Sequence, residues 1–269
     1  MSLLEPVPLL EVEGLTKRFG GITAVDGLTF TVAEGEWVGL IGPNGSGKST
    51  LFSLLSGVER PDGGQIRFAG RSLVGLPPHQ IARLGLVRGF QIPRLFSSMD
   101  GLENMLVAEK DHPGEGLAAA LAPGPFVEAE RQAARRAAWW LTAFGLAGQA
   151  PLLASELSGG QMKLLETARA LMGQPRLLLL DEPAAGVAPA LAQGIFQKLR
   201  RLREEQGITL LTIEHRLDLL FDHVDRVLVL HQGRLLADGP PGAIAEEPRV
   251  LEAYFGTAHW GPRREGAHP

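Results

Sequence analysis

An apolar run, Trp37–Ile41, leads directly into Gly42-Pro43-Asn44-Gly45-Ser46-Gly47-Lys48-Ser49-Thr50, and Leu51, Phe52, Leu54 and Leu55 follow at helical spacing. The pattern predicts a buried strand, a glycine-rich turn and a helix that opens at Lys48 and Ser49. In such a turn, glycines let successive backbone N–H groups converge on one point. The helix N-terminus adds positive potential and Lys48 adds a full charge. Ser49 stands where a hydroxyl can reach Mg²⁺. Isolated glycines would say little in a chain that has 34 of them. The whole run in its strand–turn–helix setting predicts a phosphate-cradling loop, and therefore a nucleoside triphosphate site in an α/β fold.

The rest of the composition narrows the setting. With 269 residues, the chain has room for one large domain or two modest ones. A formal charge of −4 gives no general attraction to nucleic acid, and none is expected as a partner. There is no cysteine, which excludes disulfide scaffolds and thiolate metal sites. The longest apolar runs, such as Leu177–Leu180 and Leu117–Ala122, fall far short of the ~20 residues a membrane-crossing helix needs. The N-terminus carries Glu5 and no basic region ahead of a hydrophobic stretch, so no secretory signal is expected. Any membrane role is expected to come through a partner.

Along the chain, Leu9–Leu15 reads as a strand and Lys17–Gly21 as the turn after it, with Val25–Val32 as the next strand. Pro61–Gly64 turns the chain again, into a strand over Gln65–Phe68. These short strands predict an antiparallel sheet on the N-terminal side. From about 90 to 170 the character is helical, with a helix over Phe126–Phe144 and a loop with a short helical turn over Asp111–Pro125. The α/β rhythm then returns: strands over Arg176–Leu180 and Ile208–Ile213, a helix over Pro189–Glu205, and a hairpin of Val227–Leu230 with Leu235–Ala237. Continuous apolar strands alternating with helices predict a mostly parallel sheet covered on both faces.

Several side chains fall where that fold would put chemistry. Asp181 and Glu182 close a buried strand, the end at which open α/β sheets bind ligands. Asp181 can hold Mg²⁺ and Glu182 can polarise the attacking water. His215 closes the next strand and suits either a γ-phosphate contact or a structural histidine. Gln91, ending a further candidate strand, can reach Mg²⁺ or the attacking water. Phe19, before a glycine pair, can stack on a base or serve as a core aromatic. Leu157-Ser158-Gly159-Gly160-Gln161 precedes a helix carrying Met162, Leu164, Leu165, Ala168 and Leu171, and so forms a second anion site at a helix N-terminus. Two such elements far apart in one chain are redundant within a monomer. A head-to-tail dimer, each nucleotide clamped between one subunit's loop and the other's serine–glycine element, is the more economical arrangement.

These motifs together resemble the ATP-binding subunit of ABC transporters, over essentially Leu9–Gly256. The most specific mark is Leu157–Gln161, the family's signature motif. Within the superfamily the chain is similar to LivG-type subunits of branched-chain amino acid importers. The marks are Arg18-Phe19-Gly20-Gly21 with Ala24-Val25, Phe90-Gln91 with Arg94-Leu95-Phe96 and Glu103-Asn104, Ile213-Glu214-His215, and the ending Pro248–Gly256. The resemblance implies a P-loop NTPase core with an N-terminal antiparallel β subdomain and an inserted helical subdomain, one ABC ATPase domain over 1–256 and a flexible tail over 257–269. It implies Phe19 and Val25 against the nucleotide, Gly42–Thr50 as the Walker A loop, Gln91 as the Q-loop glutamine and Asp181 as the Walker B carboxylate. Glu182 then matches the catalytic glutamate and His215 the switch histidine. Ser158, Gly159, Gly160 and Gln161 face the partner's ATP, and Mg²⁺ is held through Ser49, Asp181 and Gln91.

The implied assembly is a homodimer, or a heterodimer with a LivF-like ATPase, docked on two transmembrane permeases and served indirectly by a periplasmic or extracellular solute-binding protein. The expected place is the cytoplasmic face of the inner (plasma) membrane. Importers for urea or short amides share much of this outline, and a soluble ABC ATPase outside transport is the more distant alternative. Two positions depart from the pattern. Ala188 stands where the D-loop usually carries Asp or Asn, and Met162-Lys163, after the signature glutamine, reads as neutral.

Overall fold

A computed structural model describes residues 8–89, 94–109 and 123–255. Ten strands and nine α-helices are assigned among them. In chain order these are β1 (Leu10–Phe19), β2 (Ile22–Val32), β3 (Trp37–Ile41), α1 (Lys48–Leu55), β4 (Gly63–Phe68), β5 (Arg71–Ser72), α2 (Pro78–Leu84), β6 (Leu86–Arg88) and α3 (Gly101–Leu106). There follow α4 (Pro123–Ala143), α5 (Gly159–Met172), β7 (Leu177–Asp181), α6 (Pro189–Gln206), β8 (Thr209–Ile213), α7 (Leu217–Phe221), β9 (Arg226–His231), β10 (Arg234–Gly239), α8 (Pro241–Glu246) and α9 (Pro248–Phe255).

Two sheets carry the molecule. One is four-stranded and antiparallel in the order β2-β1-β4-β5. The other has six strands in the order β10-β9-β3-β8-β7-β6, all parallel except the β9–β10 hairpin at its edge. The parallel strands read as unbroken apolar runs because both of their faces are covered. In β3, Trp37 and Ile41 join one core cluster, whereas Val38 and Leu40 join the other. In β7 the same alternation sends Leu178 and Leu180 one way and Leu177 and Leu179 the other. The first cluster lies under α4, α5 and α6, and the second packs α1 between the two sheets.

Two sequence expectations change. The first strand does not stop at Leu15 but runs through Phe19, because register shifts between Val12 and Arg18 break its alternation while Lys17, Arg18 and Phe19 go on pairing with Val25, Thr23 and Ile22. The turn is therefore Gly20 and Gly21 alone. The loop expected over Asp111–Pro125 falls outside the described residues up to 122, and Pro123–Pro125 already belong to α4. Between β6 and β7 the described residues form helices, turns and loops and no named strand, with one bridge joining Asp100 to Leu153.

Candidate functional site

The parallel strands deliver their carboxyl ends to one side, and the run after β3 turns there into α1. Gly42 sits at φ 151° with its α-carbon against β9, where an added Cβ would stand 2.1 Å from the Leu230 carbonyl oxygen. Gly47, the N-cap of α1, has φ 104° and would place a Cβ 2.4 Å from the Ala24 carbonyl oxygen. Both positions require glycine on steric grounds as well as for their backbone angles. The result is a loop pressed against β2 and β9 and a helix N-terminus that no side chain caps. Its amide donors point outward, as an anion site needs.

Residues 44–50, with Ala24, Glu182 and His215, line a cleft of about 300 Å³ at this N-terminus. Lys48 is almost fully buried beside it, and Nζ donates to the carbonyl oxygens of Gly42 (2.7 Å) and Pro43 (3.1 Å). Burial pulls the Lys48 pKa down, while Glu182 and Asp181 pull it back up. Asp181, the last residue of β7, is buried and bound by Arg88 Nη2 at 2.9 Å. Arg88 also donates through Nη1 to Ser53 Oγ (3.1 Å), so its guanidinium bridges β6, α1 and β7.

Glu182 follows with φ 52°, an uncommon and strained angle for a residue with a side chain. Backbone and side-chain contacts hold it, among them the Ala185 N–H donating to its carbonyl (3.1 Å). Its N–H donates to the Ile213 carbonyl (2.9 Å), its carbonyl accepts from Lys163 Nζ (3.1 Å), and its Oε1 lies 3.0 Å from His215 Nε2. Lys163 comes from α5, where the charges of Glu214, Glu182 and Glu166 surround it. Glu214, next to His215, is buried; burial pushes its carboxyl pKa up, against hydrogen bonds from the amides of Ala184, Arg216 and His215. Those bonds tie the loop after β8 to the loop after Glu182.

The expected residues are therefore distributed unevenly. Lys48, Ser49, Glu182 and His215 meet in one cleft, with Asp181 directly behind it. Phe19 closes β1 with its ring about half exposed and Lys17 Nζ 5.0 Å from the ring centroid. The side chain of Val25 is wholly buried in the core between the sheets, and its neighbour Ala24 faces the cleft. Pro43 contributes its carbonyl and lies off the cleft wall. Gln91 lies outside the described residues. Ser158 and Gly159 are exposed and none of Ser158–Gln161 lines the cleft.

Other residues matter that motif reading passed over or quoted without a role. Arg88 and Lys163 reach Asp181 and Glu182, and Glu166 Oε1 accepts the Arg94 N–H (3.0 Å), joining α5 to the segment just after Gln91. Asn104 is wholly buried and donates to the carbonyls of Phe96, Met99 and Asp100 while accepting from the Phe96 N–H. Glu103 forms a capping box with Asp100 at the start of α3. The Glu103-Asn104 pair is thus a local scaffold.

With this geometry in place, comparison with known proteins is specific. A family profile described as "ABC transporter" matches residues 25–185, and one described as "Branched-chain amino acid ATP-binding cassette transporter" matches 234–259. The chain is 45% identical to the high-affinity branched-chain amino acid transport ATP-binding protein BraF of Pseudomonas aeruginosa, over 93% of this chain and 99% of that one. It is 44% identical to LivG of Escherichia coli K12 at the same coverage. Among solved structures, a nucleotide-free ATP-binding cassette from an ABC transporter superposes with TM-score 0.80 at 37% identity, covering 93% of this chain and 100% of that one. The ADP conformation of the cassette MJ1267 also gives TM-score 0.80 at 37% identity, covering 93% and 99%. Near-complete coverage of both partners, added to a P-loop fold whose cleft gathers a lysine, a glutamate and a histidine, leaves one conclusion: the chain belongs to the ATP-binding, ATP-hydrolysing subunits of ABC transporters, in the family of branched-chain amino acid transport ATP-binding proteins.

Proposed function

We propose that this chain powers import of branched-chain amino acids by hydrolysing MgATP in the Lys48–Glu182–His215 cleft. The convergence of those side chains at an uncapped helix N-terminus is the observation that carries the reading. The names of its relatives supply the solute class, and they favour it over urea or short amides and over a role outside transport. Phe19 stacks on the base. The amides of Gly45, Gly47, Lys48, Ser49 and Thr50, with Asn44 and Ser46 in the loop, cradle the phosphates. Lys48 leaves the Gly42 and Pro43 carbonyls for the β- and γ-phosphate oxygens.

Ser49 and Asp181 are hard oxygen donors suited to Mg²⁺, and Asp181 already holds one cation, the Arg88 guanidinium, so the position is built to receive positive charge. Bound there, Mg²⁺ neutralises charge on the β- and γ-phosphates. Gln91 joins this set in the reading as a further Mg²⁺ and water contact. Glu182 orients the attacking water and takes its proton, and His215, 3.0 Å from Glu182, supports the γ-phosphate. Ser158, Gly159, Gly160 and Gln161 close on the partner's nucleotide in a dimer. The second ATPase is an identical chain or a LivF-like homologue. The assembly sits on two permeases at the cytoplasmic face of the plasma membrane, fed by a solute-binding protein. Among the described residues no helix is long and apolar enough to cross a membrane, which agrees with peripheral attachment.

Glu182→Gln tests the chemistry. It retains ATP binding and lowers turnover at saturating ATP by at least ~10²-fold, because it removes the carboxylate that works on water and leaves the phosphate site intact. Near-parental turnover assigns the base elsewhere and defeats the mechanism.

A further inference from the structure

We propose that the Tyr254 hydroxyl clamps the base of the phosphate loop, so that the C-terminal helix sets nucleotide affinity. The inference rests on Gly42–Thr50 being the phosphate loop. Tyr254 is the chain's one tyrosine. It stands on α9, and its hydroxyl accepts the Gly42 N–H at 2.6 Å across 212 residues of sequence.

Gly42 is buried, and its φ of 151° with the Leu230 carbonyl against its α-carbon leaves the backbone one place to be. A buried N–H held there needs a partner, and loss of that partner leaves an unsatisfied donor. The carbonyl of the same residue accepts Lys48 Nζ at 2.7 Å. Gly42 is thus a joint: the C-terminal helix holds its amide and the phosphate-binding lysine rests on its carbonyl. The phenol suits this task. Burial pushes its pKa up to about 12, so it stays neutral at physiological pH and keeps a proton to donate while accepting.

The helix is seated independently of the hydroxyl. Val250 of α9 and Ile244 of α8 are buried in the core under the six-stranded sheet, and the Tyr254 ring packs against that core. The profile specific to branched-chain cassettes covers 234–259, whereas the general ABC profile covers the loop. Through this hydroxyl the specific segment reaches the base of the loop.

The test uses full-length nucleotide-free protein and a fluorescent ATP analogue. Tyr254→Phe keeps the ring and its packing. It is expected to weaken analogue affinity about three- to tenfold and to speed amide hydrogen exchange over 42–48 about tenfold. Val250→Ala loosens the same helix but keeps the hydroxyl, and is expected to lower Tm with affinity within about twofold of parent. Two results overturn the clamp: Tyr254→Phe binding within about twofold of parent, or Val250→Ala matching its affinity loss, which reduces Tyr254 to packing. Lys48→Ala run alongside separates the premises. If it weakens binding while Tyr254→Phe does not, the clamp alone falls; if neither weakens binding, the loop assignment falls and takes the clamp with it.

Discussion

The molecule presents two helix N-termini to phosphate chemistry, and they are finished differently. At α1 the N-cap is Gly47, which has no side chain, and no side chain caps the first-turn amides. At α5 the N-cap is Ser158, whose Oγ accepts the Gln161 N–H at 3.3 Å while Gln161 Oε1 accepts the Ser158 N–H at 2.9 Å. A capping box of this kind satisfies two orphan donors from within the chain. The α1 end thus keeps its donors for an anion, backed by Lys48 and walled by Glu182 and His215. The α5 end is exposed and partly capped from within, since the box takes up the Ser158 and Gln161 amides and does not involve those of Gly159 and Gly160. In the proposed mechanism the first end binds nucleotide within a monomer and the second meets it only across an interface.

Ser158→Arg makes the sharpest cut between the two, because it puts bulk and charge where the partner's γ-phosphate must pass. It is expected to leave monomer affinity near parental, to abolish ATP-driven dimerisation in the Glu182→Gln background, and to lower turnover at least ~10²-fold. Sedimentation velocity with and without MgATP reads this directly. Dimerisation equal to that of Glu182→Gln alone removes α5 from the site. The run is repeated with the cognate ATPase partner, since a chain that pairs only with a homologue gives a weak homodimer.

Lys48→Ala strikes the other end. It is expected to weaken binding of a fluorescent ATP analogue by about tenfold or more while leaving the α5 capping box as it is. Unchanged affinity would mean that the loop amides hold the phosphates unaided.

Lys163→Met tests the thread between the ends, the bond from α5 to the Glu182 carbonyl. With Glu182 at φ 52°, losing that bond removes one of two donors to its carbonyl, the other being the Ala185 N–H, and loosens a strained residue. Turnover at saturating ATP is expected to fall about fivefold to tenfold with affinity changed less than about twofold, and Lys163→Arg to recover most of the loss. A fall in affinity alone, or no recovery by arginine, gives Lys163 a role other than positioning Glu182.

How much of this was legible depends on how far apart the interacting residues lie. The buried parallel strands announce themselves as apolar runs, and the phosphate loop is contiguous, so β3, β7, β8 and the α1 site follow from local pattern. The extension of β1 to Phe19 was hidden because bulges scramble a period of two. The facing of Ala24 and Val25 was hidden for a related reason: adjacent strand residues face opposite ways, and a one-residue difference puts Ala24 on the cleft and the Val25 side chain in the core. Bonds such as Arg88–Asp181, Lys163–Glu182 and Gly42–Tyr254 join residues from different elements, and no periodicity carries them. Lys163 read as neutral in the sequence and proves to be the donor to the Glu182 backbone.

A third helix N-terminus sets the scale for the first two. The N-cap of α6 is Ala188, with φ −59° and ψ 147°, no side-chain cap and Pro189 as the first helical residue. Like α1 it is uncapped, but alanine is among the weaker N-caps, and Ala188 does not line the phosphate cleft. If the bare end of α1 is bare for a ligand, filling the bare end of α6 should simply stabilise the protein. An asparagine side chain at this position can accept the N–H of Ala190 or Leu191, so Ala188→Asn is expected to add about 1 kcal/mol. For a domain of this size, that raises Tm by roughly 2–4 °C. Scanning calorimetry of the nucleotide-free chain measures it, with analogue affinity in the monomer unchanged. The same substitution restores the polar side chain usual at the D-loop, so the shift must appear in monomer as well as dimer to count as capping. A shift confined to the dimer would place its effect across the interface, and a lowered Tm would mean that the α6 end, like that of α1, has a use for being left open.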